Sequence, residues 1–352
     1  MLSIAILVAL VAAIVFATAK LKINPFLALL AAALVGGFAF GLPVDTIAPT
    51  MTTAFGATLG NIGLIILFGT IIGVILERTG AAIAMAEALI RVLGTRFPTL
   101  TMSVIGFIVS IPVFCDSGFV ILNSLKKSLA ARAKVSLVAM TIALMTGLYA
   151  THVFVPPTPG PLAAAGNLNI IDQLGLIIGF GLIASLFLLR GKGKLDAFGD
   201  RVTEGIRISA PILLITASGA AFGAVLAASD LTDFLGSTLS TLGLGLAVPF
   251  LISAALKTAQ GSSTVAMVTT SVLLLPLLPA LGLDSDLGKV LSVLAIGAGA
   301  MVVSHANDSF FWVVSQLSRI PVATAYRTLT PATAIQGVAG FAAVWVIGLI
   351  VL

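Results

Sequence analysis

Charge is what this chain has least of. Only 9% of its 352 residues are Asp, Glu, Lys or Arg, while 59% are hydrophobic, and its mean hydropathy is +1.20. A soluble domain carries roughly 25% charged residues. No ordinary wetted surface can be built here, so the chain reads as an integral membrane protein. No polar stretch is long enough to hold a soluble catalytic or regulatory domain. Cysteine is scarce as well: a single residue, Cys115, excludes an internal disulfide, and with only two histidines the chain offers no Cys/His cluster for a metal. No cofactor is expected. The pI of 9.6 would suit a nucleic-acid partner, but the basic residues lie in short loops, as topology signals do. The bilayer is the expected partner, not nucleic acid.

What is present is a series of apolar runs. A spanning helix needs roughly 20 apolar residues. Leu2 to Ala19 lacks a basic leader and reads as a retained helix, not a signal peptide. Asn24 to Leu42 and Thr58 to Leu76 follow, with a loop from Pro43 to about Ala57 between them. From Phe97 the chain is apolar to Phe114, breaks at CDSG (Cys115 to Gly118), and is apolar again to Leu125. Basic residues flank both ends (Arg91 and Arg96; Lys126, Lys127, Arg132 and Lys134). That pattern fits a re-entrant hairpin entered from the cytoplasm. Val135 to Ala150 then breaks at THVFVPPTPGP (Thr151 to Pro161), because prolines cannot continue a helix. Leu174 to Leu189 returns to a basic loop. Ile208 to Ser229, a second hairpin with its tip at QGSST (Gln260 to Thr264), a second run broken at SHAND, and Pro331 to Leu352 complete the chain. Sixteen of the eighteen Lys and Arg then lie inside, Lys257 and Lys289 being the exceptions. Both termini are expected outside.

The two halves resemble each other. Gly69, Gly73, Leu76 and Leu89 match Gly219, Gly223, Leu226 and Leu239, and the two histidines, His152 and His305, fall at the two breaks. The halves run in opposite directions, so the repeat is inverted, an architecture typical of secondary transporters. The expected fold is an all-α polytopic membrane protein with two opposed re-entrant hairpins and two broken transmembrane helices. The first repeat is 1–190, with an inner hairpin at about 97–131 and a broken helix at about 135–165. A cytoplasmic linker occupies 191–207. The second repeat is 208–352, with an outer hairpin at about 244–281 and a broken helix at about 290–318.

At FCDSGFVIL (Phe114 to Leu122), THVFVPPTPGP, AQGSSTVAM (Ala259 to Met267) and SHANDSFFW (Ser304 to Trp312) the chain resembles the gluconate permease family of proton-coupled sugar-acid symporters. The resemblance runs from the first helix to the last. It implies import of gluconate or a related small hydroxy-carboxylate across the inner membrane, an elevator-type movement, and a possible homodimer. Sodium coupling or a dicarboxylate substrate is the alternative within transport. An intramembrane hydrolase using Ser304, His305 and Asp308, and a passive channel, are remoter alternatives. Two departures stand out. Family members carry extra helices between the central basic loop and the second repeat, and the well-known gluconate transporters have Glu in place of Asp116. Thr158 also stands where some members have His.

Asp116 and Asp308 are the acids expected at membrane depth. A carboxylate there is costly, on the order of 3 kcal/mol, and such residues usually line a pathway, so both are candidates for proton coupling. Capping of broken helix ends is the structural alternative. Lys257, where the family has Arg, is a candidate counter-charge for a substrate carboxylate, with snorkelling as its alternative. Ser117, Gly118, Gly261, Ser262, Ser263 and Thr264 offer N–H and O–H donors to an anion at the tips. His152, His305, Thr158 and Asn307 complete the expected substrate site. Phe310, Phe311 and Trp312 read as packing. No catalytic residue is expected.

Overall fold

The computed structural model describes residues 2–170, 198–229, 244–306 and 308–352. The run expected at Leu174 to Leu189, residues 191–197 of the linker, Leu239 and Asn307 lie outside these residues. Among the described residues every regular element is helical: α1 (Leu2–Ala19), α2 (Pro25–Ala39), α3 (Val44–Arg78), α4 (Ala81–Leu93), α5 (Pro98–Val109), α6 (Cys115–Ala133), α7 (Leu137–Phe154), α8 (Pro159–Asn167), α9 (Phe198–Ala227), α10 (Ala247–Gln260), α11 (Ser263–Leu274), α12 (Asp286–Met301), α13 (Ser309–Leu317) and α14 (Val322–Val351). Four stretches are long and apolar enough to cross a bilayer: Val44–Arg78, the interrupted Leu137–Asn167, Phe198–Ala227 and Val322–Val351. The protein is a helical, multi-pass membrane protein.

Several boundaries differ from the expected ones, for one reason: apolar windows mark the greasy part of a helix, not its ends. The expected loop from Pro43 to Ala57 is the start of α3, and Pro49 sits inside that helix. Pro331, expected to open the last span, lies within α14. Residues 198–207, expected in the linker, form the opening turns of α9. Proline in a helix interior frees one carbonyl, and in membrane helices neighbouring groups absorb that loss.

The two hairpins are α5–α6 and α10–α11. Their helices of 12 and 14 residues in the first arms extend only about 18–21 Å at 1.5 Å per residue, short of a hydrocarbon core of about 30 Å. In the first hairpin the turn is Ser110–Phe114, and Cys115 to Gly118 is already the opening turn of α6. The expected tip therefore lies a few residues late. In the second, Gly261 ends α10 at φ +90° and Ser262 caps α11, its Oγ accepting from Val265 N. Glycine suits that left-handed position because it has no Cβ to clash.

Each hairpin packs its first arm on an interrupted helix, α5 on α7 and α10 on α12. Both contacts are made through glycine. A Cβ at Gly147 would stand 2.0 Å from the Ser103 carbonyl oxygen, and one at Gly299 would stand 2.3 Å from the Phe250 carbonyl oxygen. Small residues let membrane helices approach backbone to backbone.

Helices α3 and α9 pack along their lengths and run antiparallel. Ile71 and Ile75 meet Phe198 and Val202, while Ile62 and Ile66 meet Ile212, Leu213 and Ile215. Arg78 and Glu204 form an ion pair at that end. The second arm of each hairpin also reaches the far end of the other interrupted helix. Asn167 Nδ2, ending α8, donates to Ser271 Oγ of α11 at 2.9 Å. Lys126 Nζ of α6 donates to Ser318 Oγ, just past α13, at 2.7 Å.

Candidate functional site

The helix ends that these contacts bring together are the opening turn of α6, the last turn of α7, the α10–α11 tip and the 302–308 segment between α12 and α13. Lys257, in the last turn of α10, is fully buried. Its ammonium donates to Asp308 Oδ2 at 2.7 Å and to the Gly261 carbonyl. The Lys257 side chain therefore turns into the protein, and the snorkelling alternative is overturned by its partner. A buried charge is retained only where an opposite charge and further hydrogen bonds hold it.

Asp308 is thoroughly tied. Its Oδ2 also accepts from Ser304 Oγ at 2.5 Å, and its Oδ1 accepts from Phe310 N at 3.0 Å, capping α13. The Ser304 backbone is tied in turn to α14: Ser304 N donates to Thr333 Oγ1 at 3.0 Å, and Thr330 Oγ1 donates to the Ser304 carbonyl at 2.7 Å. His305 is half-buried, and its Nε2 lies 2.9 Å from the Thr258 carbonyl oxygen. Ser304 thus faces Asp308 and His305 faces a backbone carbonyl, so these residues do not form a hydrolytic triad.

Asp116 differs from Asp308. It is half-buried, and its Oδ1 is buried with no hydrogen-bond partner among the described residues. Ser117 adjoins it in the first turn of α6. Gly118 packs on Leu148, which a Cβ would meet at 2.7 Å. On the opposite tip, Ser263 Oγ is 2.7 Å from the hydroxyl of Tyr149. Thr264 lies beside Gly160, whose added Cβ would meet the Thr264 Cα at 3.7 Å.

Helix α7 runs on through Thr151 and His152, and the break comes at Val155 to Thr158. The first break was therefore expected several residues early: Thr151 and His152 still fit a helix, and only the prolines do not. His152 is half-buried, its Nδ1 unpartnered among the described residues, and its ring stacks on Tyr149 at 6.3 Å. Thr158 stands at the N-cap position of α8. Its hydroxyl donates to the Val155 carbonyl at 2.6 Å, and it lines a narrow cleft with Gly69, Pro112 and Pro157. Phe310 and Phe311 are buried and Trp312 Nε1 donates to the Ala306 carbonyl at 2.9 Å, as expected of packing residues.

Two residues escaped the sequence reading. Tyr149 links the parts: its hydroxyl meets Ser263, its ring lies 5.7 Å from the Lys257 ammonium and 5.4 Å from Phe310. It lies three residues before His152 on α7, hence on the same face, and that was its available signal. Lys126, expected as an exposed topology charge, is fully buried. It lies 4.5 Å from the centre of the Phe119 ring, and among the described residues no acid pairs with it. A separate cavity of about 210 Å³ between α3, α8, α9 and α11 is lined by Asn61, Asn167 and Asn169 and carries no ionisable side chain.

Paired helical hairpins, interrupted helices and a buried charge cluster where they meet define a membrane transport protein, not an enzyme. The model of the GntP family permease matches residues 1–195 and 182–350, and the chain belongs to that family. It is 27% identical to a gluconate permease of Pseudomonas aeruginosa, over 98% of this chain and 97% of that protein. It is 25% identical to a low-affinity gluconate transporter of Escherichia coli, over 93% and 94%, and 27% identical to an uncharacterized permease of Haemophilus influenzae, over 87% and 84%. The Pseudomonas alignment extends over 439 residues, more than this chain contains, so that relative has residues without counterparts here. The two family matches meet at 182–195, close to where the shortening was expected.

Proposed function

We propose that the protein is a secondary active transporter of the bacterial inner membrane that imports gluconate or a related small sugar acid by proton symport. The substrate class follows the gluconate transporters among its relatives. The observation that carries the mechanism is the buried Lys257–Asp308 ion pair beside the α10–α11 tip, together with a carboxylate in the opening turn of α6, Asp116, whose buried Oδ1 has no hydrogen-bond partner among the described residues. The cation, Ser117 in the opening turn of α6, and Ser262, Ser263 and Thr264 at the α10–α11 tip suit a carboxylate, and His152 and His305 suit hydroxyls. Asp116 carries the proton. Asp308, already held by three donors, serves as the counter-ion of Lys257.

An inverted repeat is supported by the antiparallel α3–α9 pair, by the matching glycine contacts at Gly147 and Gly299, and by the reciprocal ties of Asn167 to Ser271 and of Lys126 to Ser318. In this reading α3 and α9 form a static wall past which the hairpins and interrupted helices slide as an elevator. Both termini lie outside, and the static helices offer the surface for a homodimer.

The test is uptake of labelled gluconate, related hexonates and glycerate into sodium-free proteoliposomes. Accumulation driven by an inward proton gradient is expected. Uptake that needs sodium and ignores the pH gradient overturns the coupling. Flux that equilibrates but never concentrates substrate overturns active transport.

A further inference from the structure

Lys126 and Lys127 are neighbours on α6, yet Lys127 is exposed and Lys126 is fully buried. Among the described residues Lys126 forms no ion pair. Its ammonium lies 4.5 Å from the centre of the Phe119 ring and donates to Ser318 Oγ at 2.7 Å, and Thr141 Oγ1 donates to the same oxygen at 3.3 Å. Burying a cation without a counter-ion is costly, and a lysine near the end of a membrane helix normally extends its head to water. An apolar residue would fill this place at lower cost, so the reason for a lysine lies in what it holds.

Asp308 caps the start of α13 and Ser318 stands at its end. Helix α6 holds α13 near both. Phe119 meets Phe310, the second residue of α13, edge to face at 6.1 Å, and Lys126 holds Ser318. Phe119 and Lys126 are seven residues apart, about 10.5 Å along a helix, and Phe310 and Ser318 are eight apart, about 12 Å. Two contacts in that order and at matching spacing make α6 and α13 run side by side in the same direction. Asp116 precedes Phe119 by three residues, and Asp308 precedes Phe310 by two. The helix start that carries Asp116 and the one that carries the Lys257–Asp308 pair therefore lie at the same end. Helix α13 is also tied by a lysine from each hairpin: Lys257 at Asp308 and Lys126 at Ser318.

We propose that Lys126 is a positioning residue: it pins α13 along α6, and so sets the level of Asp308 and its partner Lys257 relative to Asp116. It acts through the nine residues of α13 and forms no bond to either acid. Cut off from α12 by the break, α13 needs contacts of its own to fix its place along α6, and the Ser318 hydroxyl is where the first hairpin supplies one. The proposal rests on the substrate site described above and names the residue that aligns its two sides.

The test compares Lys126→Met, which keeps an apolar stem and removes the ammonium, with Lys127→Met, which removes the same charge from the exposed face one residue on. Each full-length variant is purified in detergent and checked by elution profile and melting curve. Lys126→Met should melt no lower than the wild type, because a buried cation without a counter-ion is gone. It should nevertheless bind gluconate about tenfold more weakly in titration calorimetry, the equivalent of one hydrogen bond to a charged group. Without ligand, hydrogen exchange should quicken at the Phe310 amide, whose acceptor is Asp308 Oδ1, although it lies eight residues from Ser318. Lys127→Met should match the wild type in all three measurements. Unchanged affinity and unchanged exchange in Lys126→Met overturn the proposal. So does a loss of affinity that Lys127→Met shares, which marks an effect of charge alone, or one that follows a lower melting temperature, which marks ordinary destabilisation. A wild type that binds neither gluconate nor related hexonates overturns the sugar-acid reading instead, and the ligand-free exchange at Phe310 then decides the role of Lys126 by itself.

Discussion

The two interrupted helices solve the same problem in opposite ways. A break in a buried helix strips backbone groups of their partners. At the first break, Val155 to Thr158, the chain removes donors: Pro156, Pro157 and Pro159 have no N–H, and the Thr158 hydroxyl covers the Val155 carbonyl. At the second, residues 302–308, the chain supplies partners: Ser304, Asp308, Thr330, Thr333 and Trp312 each bond the segment or its flanks. The first solution is local and written in one stretch of sequence. The second is drawn from three helices and includes an ion pair. A break built by subtraction is stiff but inert, while one built by a charged network can respond to a ligand.

This contrast can be broken, or sharpened, by substitution, with effects read as unfolding free energies or melting temperatures in detergent. The largest is expected at Asp308→Ala, which strands the Lys257 ammonium and should destabilise by about 3–5 kcal/mol. Replacing both members with apolar residues should recover most of that loss, since the cost lies in the unpaired charge. Ser304→Ala removes one charge-assisted hydrogen bond and should cost about 1.5–3 kcal/mol. Thr333→Val, which removes a neutral partner of the second break, should cost about 1 kcal/mol. Pro159→Ala at the first break should cost only about 0.5–1 kcal/mol, because an N–H at the first helical position needs no intrahelical partner. Equal costs at the two breaks would show that the distinction is only one of composition.

The same contrast explains what was legible in the sequence. PPTPGP announces a break without help, since proline acts on its own backbone. SHAND announced polarity at depth, but most of its partners lie far along the chain: Thr330 is 26 residues and Thr333 29 residues from Ser304, and Lys257 is 51 from Asp308. Nothing local marks such pairs. Hence Asp116 and Asp308 looked alike from sequence, although among the described residues the buried Oδ1 of one has no partner and the other is held on both oxygens. Lys126 was legible by a different route. Phe119, Leu122, Lys126 and Leu129 fall on one helical face, and all are buried in α6. Its place in a run of basic residues hid that periodicity. The long helices failed at their ends for a simpler reason: the apolar window stops where lipid stops, while α3, α9 and α14 continue through Pro49, Pro211 and Pro331.

The glycine contacts between hairpin and interrupted helix carry a mechanical consequence. Where Gly147 meets the Ser103 carbonyl and Gly299 meets the Phe250 carbonyl, backbone touches backbone without an intervening layer of side chains. Side chains change rotamer and act as springs, whereas peptide planes do not. Each pair is therefore a lever without a cushion. A displacement of α5 is handed to α7 undiminished, and one of α10 to α12, so a push at either tip arrives at the break beside it rather than dissipating in the packing on the way.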